Sequence, residues 1–156
     1  GTVSSRAYRW NFFGIKKDGT PVIASNADYP QMKSELQNAI GLYDTLLVKD
    51  GNVVTQKDAD QRTYSPRLGV GLRADGTVFF VMVDGRQSQY STGATLKEFA
   101  QLMGAVQAGN LDAGGSATLL SRNYGNSTLL LRNKPSDGKE RPVPNSLLFV
   151  TKSTSM

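Results

Sequence analysis

The 156-residue sequence predicts one α+β domain, residues 1–156, with a mixed, mostly antiparallel sheet and two packed helices. Three observations carry this expectation. Short apolar runs are separated by Asp-Gly turns at Lys17–Gly19, Lys49–Gly51 and Ala74–Gly76, which is hairpin chemistry. Helical spacing is confined to two segments. The composition, 38% apolar and 20% charged, is that of a globular chain long enough to bury a core.

Taken in order, the first candidate strands are Trp10–Ile15 and Pro21–Ser25, joined through the first Asp-Gly turn. A helix is expected from Pro30, because Met32, Leu36, Ala39, Ile40 and Tyr43 fall on one stripe and Gly41 suits its end. Thr45–Val48 and Val53–Thr55 flank the second turn, and Leu68–Arg73 and Val78–Val83 flank the third. "VFFVMV" is apolar at every position and reads as a central strand covered on both faces. The second helix is better marked. Thr95 and Glu98 have capping-box spacing, Leu96, Phe99, Ala100 and Met103 share a face, and Gly104 ends it. Ala117–Ser121, Leu129–Arg132 and Ser146–Thr151 complete the candidate strands.

What the chain lacks narrows its chemistry. It contains neither Cys nor His, which excludes thiolate nucleophiles, disulfides, Ser-His-Asp triads and His- or Cys-ligated transition metals. Acid–base work near neutral pH falls to Asp, Glu, Tyr or Lys. No cofactor is expected, and the compatible metals are hard, oxygen-bound cations such as calcium or magnesium. No apolar run reaches the ~18 residues of a membrane span. The net charge of +5 favours anionic partners. Its arginines are scattered rather than gathered on a basic helix, so nucleic acid is not the expected partner. A few arginines converging on phosphate use the same charge.

Four polar clusters stand at strand ends. Arg67 enters a strand containing Gly69 and Gly71, glycines that admit either a ligand or a crowding helix. Asp84 and Arg86 follow the third turn's second strand. "STG" at Ser91–Gly93 precedes the capped helix, where Ser91 suits a turn cap. In "NLDAGGS", Asn110 to Ser116, a carboxylate at Asp112 precedes Gly114 and Gly115, whose freedom at positive φ suits either a tight turn or an anion-binding nest. "DGKERP" at Asp137–Pro142 reads as an exposed loop.

These clusters together resemble the phosphodiester glycosidase family. That family's pattern runs Arg-Thr-Ala-Ile-Gly, a strand, Asp-Gly-Arg, Ser-x-Gly, a Leu-x-Glu-Leu/Phe-Ala helix, Asn-Leu-Asp-Gly-Gly-Gly-Ser and a late Glu-Arg-x-Val. The chain is similar at Arg67, Gly71, Asp84, Gly85, Arg86, Ser91, Gly93, Leu96, Glu98, Asn110, Leu111, Asp112, Gly114, Gly115, Ser116, Glu140, Arg141 and Val143. It departs at Leu68 and at Ala113, where the family carries threonine and glycine. Family domains also begin earlier, with an Asn-Gly-Gly-Phe-Phe-like segment that this chain is expected to lack.

The resemblance implies a bacterial or phage hydrolase of a sugar-1-phosphodiester, extracellular or in the cell envelope; the family's eukaryotic member removes N-acetylglucosamine from capped mannose 6-phosphate. It implies Asp112 and Asp84 as catalytic carboxylates. Arg67, Arg86, Asn110, Gly114, Gly115, Ser116 and Arg141 would bind phosphate or sugar. The partner implied is a phosphate-bearing carbohydrate, without membrane insertion, and a second chain could complete the sheet or cleft. The alternative is a non-catalytic glycopolymer- or anion-binding domain with the same cradle.

Overall fold

The computed structural model describes residues 10–43, 46–54 and 62–150. The fold is α+β, with antiparallel sheets and two helices among the described residues. Strands β1 (Asn11–Lys16), β2 (Pro21–Ala24) and β3 (Leu36–Leu42) form a three-stranded sheet in the order β2-β1-β3. Strands β4 (Leu46–Lys49), β5 (Asn52–Val53), β6 (Arg67–Leu72), β7 (Val78–Val83) and β8 (Gln107–Ala113) form a five-stranded sheet in the order β5-β4-β8-β6-β7. A short ribbon pairs β9 (Leu120–Ser121) with β10 (Leu130–Leu131). Helix α1 (Tyr29–Met32) is one turn, and α2 (Leu96–Met103) is the main helix.

The five-stranded sheet is covered on both faces. On one, Phe99, Met103 and Leu96 of α2 pack with Leu47, Val48 and Ala108. On the other, Phe13, Ile23 and Leu42 of the smaller sheet pack with Leu46, Val70 and Leu72. Gly69 serves the first contact, since a methyl group there would lie 2.8 Å from the Phe99 ring. Its bare backbone accommodates the helix rather than a ligand.

All three Asp-Gly turns form as expected, each with its glycine at positive φ. Asp50 and Gly51 both lie at positive φ, as a two-residue type I′ hairpin requires. Helix α2 is bounded as its sequence dictates. The Thr95 hydroxyl accepts from the Glu98 amide, the Glu98 carboxylate accepts from the Thr95 amide, and Gly104 closes the helix at φ 53°. Its buried residues are Leu96, Phe99, Ala100 and Met103.

Three expectations about elements are corrected. The helix from Pro30 ends at Met32; Leu36, Ala39 and Ile40 of its stripe lie in β3, hydrogen-bonded along β1, and Tyr43 lies just past that strand. Leu36 and Ile40 are four apart, a spacing shared by a helical face and by alternate residues of a strand. The pleat wins because Ile40 and Leu42 then face the Phe13–Val70 core. The second correction concerns β7, which among the described residues is an edge strand and not central. Its apolar character has another cause: Phe79, Val81 and Val83 meet the helix-side core, while Val78 and Phe80 meet the other. The middle of the sheet belongs to β8, whose "QAGNLDA" carries little strand propensity. Small residues are required there, because a methyl on Gly109 would lie 2.3 Å from Leu42 Cδ1. Thirdly, 146–150 form no strand; Leu147 instead packs on the core, and the largely exposed Phe149 meets the Phe80 ring. Thr45, Thr55 and Thr151, each the end of a candidate strand, lie outside the described residues.

Candidate functional site

The site grows from the exit of β8. A bulge at Leu111 breaks the register with β6, so Asn110 lies opposite Gly69 but Asp112 lies opposite Leu68. Cross-strand partners share a face, and neighbouring residues alternate. Asn110 is therefore sent to the α2 side and Asp112 to the side covered by the small sheet. Asn110 is 1% exposed, and neither atom of its side-chain amide has a hydrogen-bond partner.

After Asp112 the chain turns through a 3₁₀ segment, Gly114–Ser116, with Gly114 at φ 74°. Asp112 organises this turn: its Oδ1 accepts from the Ala113 amide at 2.7 Å and from the Ser116 hydroxyl at 3.0 Å. Oδ2 is not engaged in either bond. Both glycines are covered by charged side chains. A methyl group on Gly114 would lie 3.1 Å from Arg86 Nη1, and one on Gly115 would lie 2.3 Å from Asp137 Oδ1. Asp137 in turn accepts from Arg141 Nε at 3.1 Å, an ion pair one helical turn apart in sequence. The two glycines thus form a floor under an alternating row of guanidinium, carboxylate and guanidinium.

Arg86 reaches this position from a left-handed backbone, φ 57°, which is uncommon for a long side chain. Its amide donates to the Thr92 carbonyl, and Nη2 donates to the Ser65 hydroxyl at 2.9 Å. Asp84 faces a different group. Its carboxylate accepts from the Lys134 amide at 2.9 Å and from Asn133 Nδ2 at 3.2 Å. Asn133 also donates to the Ala117 carbonyl and accepts from the Leu119 amide, so it ties Asp84 to the far end of the glycine turn. Ser91 is a turn cap, donating to the Asp84 carbonyl at 2.7 Å.

Arg67 stands apart. It is 5% exposed, with Nε donating to the Ala94 carbonyl and Nη2 to the Thr63 carbonyl. It lies opposite Ala113 on β8 and Val83 on β7, so it braces the sheet end beneath the site.

Arg86, Asp112, Ser116 and Arg141 therefore meet at Gly114–Gly115, directly or through Asp137. Asp84 joins through Asn133, while Arg67 and Asn110 are buried below. Two participants were not singled out from sequence, Asp137 and Asn133. Asp137 carried a signal, standing four residues before Arg141 in what read as a loop; Asn133 carried none. A recess of ≈ 530 Å³ is lined by Gln87, Tyr90, Lys134, Ser136 and Asn133, the partner of Asp84, and neither Asp84 nor Asp112 is among its walls. Among the described residues no three acidic side chains converge as a cation cage. No helix among them is long and apolar enough to cross a membrane.

The chain is similar to known proteins. It is 37% identical over 108 residues to the SPbeta prophage-derived uncharacterized protein YomE of Bacillus subtilis (strain 168), covering 65% of this chain and 16% of that protein. Among solved structures, a putative exported protein from Burkholderia pseudomallei K96243 matches 47% of this chain and 14% of its own, at 33% identity and TM-score 0.39. A hypothetical protein from Synechocystis matches 57% of this chain and 18% of its own, at 30% identity and TM-score 0.48. The chain thus spans less than a fifth of each of these relatives. The profile of the family described as phosphodiester glycosidase matches residues 1–150, and the chain belongs to that family.

Proposed function

We propose that the protein hydrolyses the bond between a sugar and phosphate in a sugar-1-phosphodiester. The observation that carries this reading is the family match over residues 1–150. The chemistry of the site is compatible with it. Ordinary glycosidases protonate a poor alkoxide leaving group and use two carboxylates to do so. A phosphate monoester leaves far more readily, so the site's main task is to stabilise charge on the departing oxygens. Arg86 and Arg141 flank the glycine turn and present planar donors suited to phosphate. Asp112 acts as nucleophile or as the base that activates water, with Oδ1 fixed by Ser116 and Oδ2 turned to the reacting carbon. Asp84 serves by holding the 133–134 segment in place. Arg67 contributes by bracing the strand end, because its Nε and Nη2 already serve backbone carbonyls. The phosphate-bearing partner is a glycan or glycopolymer of the cell envelope.

One observation favours the non-catalytic reading. The Asp137 carboxylate covers Gly115, the place where a phosphate would rest. A protein that only binds glycopolymer tolerates such an occupant more easily than one that must turn over. Release of sugar from a chromogenic sugar-1-phosphodiester, measured on the purified chain, decides between them. Sustained release supports the hydrolase; saturable binding of the same compound without release supports the binding domain.

A further inference from the structure

Trp10 and Tyr43 stack with ring centroids 5.5 Å apart, and both are well exposed, at 40% and 55%. An exposed pair of this kind offers a flat apolar surface on which the C–H face of a ligand can lie. Their backbone setting fixes where they are. Asn11 pairs with Leu42, so Trp10 and Tyr43 stand together just past the last paired residues of β1 and β3. Leu42 points into the core shared with the large sheet, hence Gly41 and Tyr43 lie on the other face of the small sheet, the face of Phe12, and the Trp10 side chain lies over the bare backbone of Gly41. The Tyr43 amide then donates to the Asn110 carbonyl at 2.7 Å, fastening the pair to β8. Asp112 follows two residues further along that strand, just past the bulge at Leu111. It also projects to the face on which the small sheet packs, and the aromatic pair forms that sheet's rim.

We infer that Trp10 and Tyr43 form a stacking platform for a sugar ring at the edge of the Asp112 site. An apolar, flat, exposed surface beside a guanidinium- and carboxylate-bearing turn divides the recognition of a sugar phosphate in two. The ring's C–H face meets the aromatics, and the phosphate meets Arg86 and Arg141. The inference rests on the sugar-phosphodiester reading for its ligand class, but its test does not require turnover.

Trp10 is the chain's one tryptophan, so its emission reports on the platform directly. The wild-type protein is titrated with N-acetylglucosamine 1-phosphate and, separately, with inorganic phosphate, and assayed in parallel on the chromogenic phosphodiester. A saturable emission change with the sugar phosphate, absent with inorganic phosphate, is expected. Tyr43→Ala, checked for folding by thermal melt, should weaken that response roughly three- to tenfold, the scale of one aromatic stacking contact. No emission change in a protein that does cleave the phosphodiester overturns the platform and leaves the hydrolase reading intact. An emission change without cleavage does the reverse. An equal response to inorganic phosphate also overturns the platform, since an anion alone would then be what the site reads. Silence in both assays overturns both.

Discussion

At the residue scale the proposed function sets two carboxylates in opposite roles around the same glycines. Asp112 caps the 3₁₀ turn through Oδ1, a task that an amide oxygen performs equally well. A nucleophile or base cannot be replaced this way, because Asn has neither the charge nor the basicity. Asp112→Asn should therefore leave the melting temperature nearly unchanged and lower turnover by at least ~100-fold. Retained turnover in the folded variant would remove Asp112 from the mechanism. Asp137 places a negative charge where the ligand's phosphate would rest, and it pairs Arg141. Asp137→Asn should free both the seat and the arginine, tightening inorganic phosphate binding by roughly two- to fivefold, the scale of a half-exposed ion pair. Calorimetric titration reads this, and weaker binding in the variant would make Asp137 a support of the cradle. Asp112, Arg86 and Ser116 were legible because each stands in a short motif beside glycine. Asp137 and Asn133 were not, since what makes them matter is contact across the fold with Gly115 and Asp84. Arg67 was legible as a residue but not in its setting, for nothing in "SPRLG" says that Ala94 and Thr63 carbonyls will surround the guanidinium.

At the element scale, local chemistry is decisive where it is self-contained. Helix α2 carries its own start, face and stop, and the Asp-Gly turns carry their own backbone geometry, so both could be read directly. Strands β3 and β8 depend on their neighbours. One takes a helix-compatible spacing and the other a weakly strand-forming composition, and only packing against β1, β4 and β6 makes them strands. The α2 cap offers a clean test of the self-contained case. Removing the Thr95 hydroxyl, by Thr95→Ala, leaves the Glu98 amide without its acceptor and should cost about 1 kcal/mol in chemical denaturation. The Glu98 carboxyl is held below its ordinary value, first by the Thr95 backbone amide and then by the Thr95 side chain. With the folded value depressed, this contribution is fully present above the unfolded glutamate range and is lost as pH falls through the folded value. Acid titration of stability should show that loss below the ordinary value of 4.5, and Glu98→Gln should flatten it. An unchanged acid limb in Glu98→Gln would mean that the cap does not report on folding.

At the scale of the whole molecule, the two faces of the large sheet are covered, while among the described residues no strand pairs with its β7 edge beyond β6. Strand β7 pairs only with β6 among the described residues, although all six of its side chains are half-buried and apolar. Edge strands normally carry a charge, a proline or a bulge that discourages further pairing. "VFFVMV" carries none, while the opposite edge is the two-residue β5, too short to recruit a strand. Arg67 lies opposite Val83, so a strand added at β7 would also wall the site at its Asp84 end. We propose that this edge accepts a strand from a second chain, which completes both the sheet and the cleft. Met82 is the residue with which to test it. The other five residues of β7 pack on one of the two cores, whereas Met82 is in neither cluster. Met82→Lys should therefore disturb edge pairing with little effect on the fold. Sedimentation velocity across a concentration series should show self-association in the wild type that Met82→Lys suppresses, with melting temperatures matched. A wild-type chain that stays monomeric throughout the series would argue that β7 needs no partner. An associating Met82→Lys variant would place the contact on another surface.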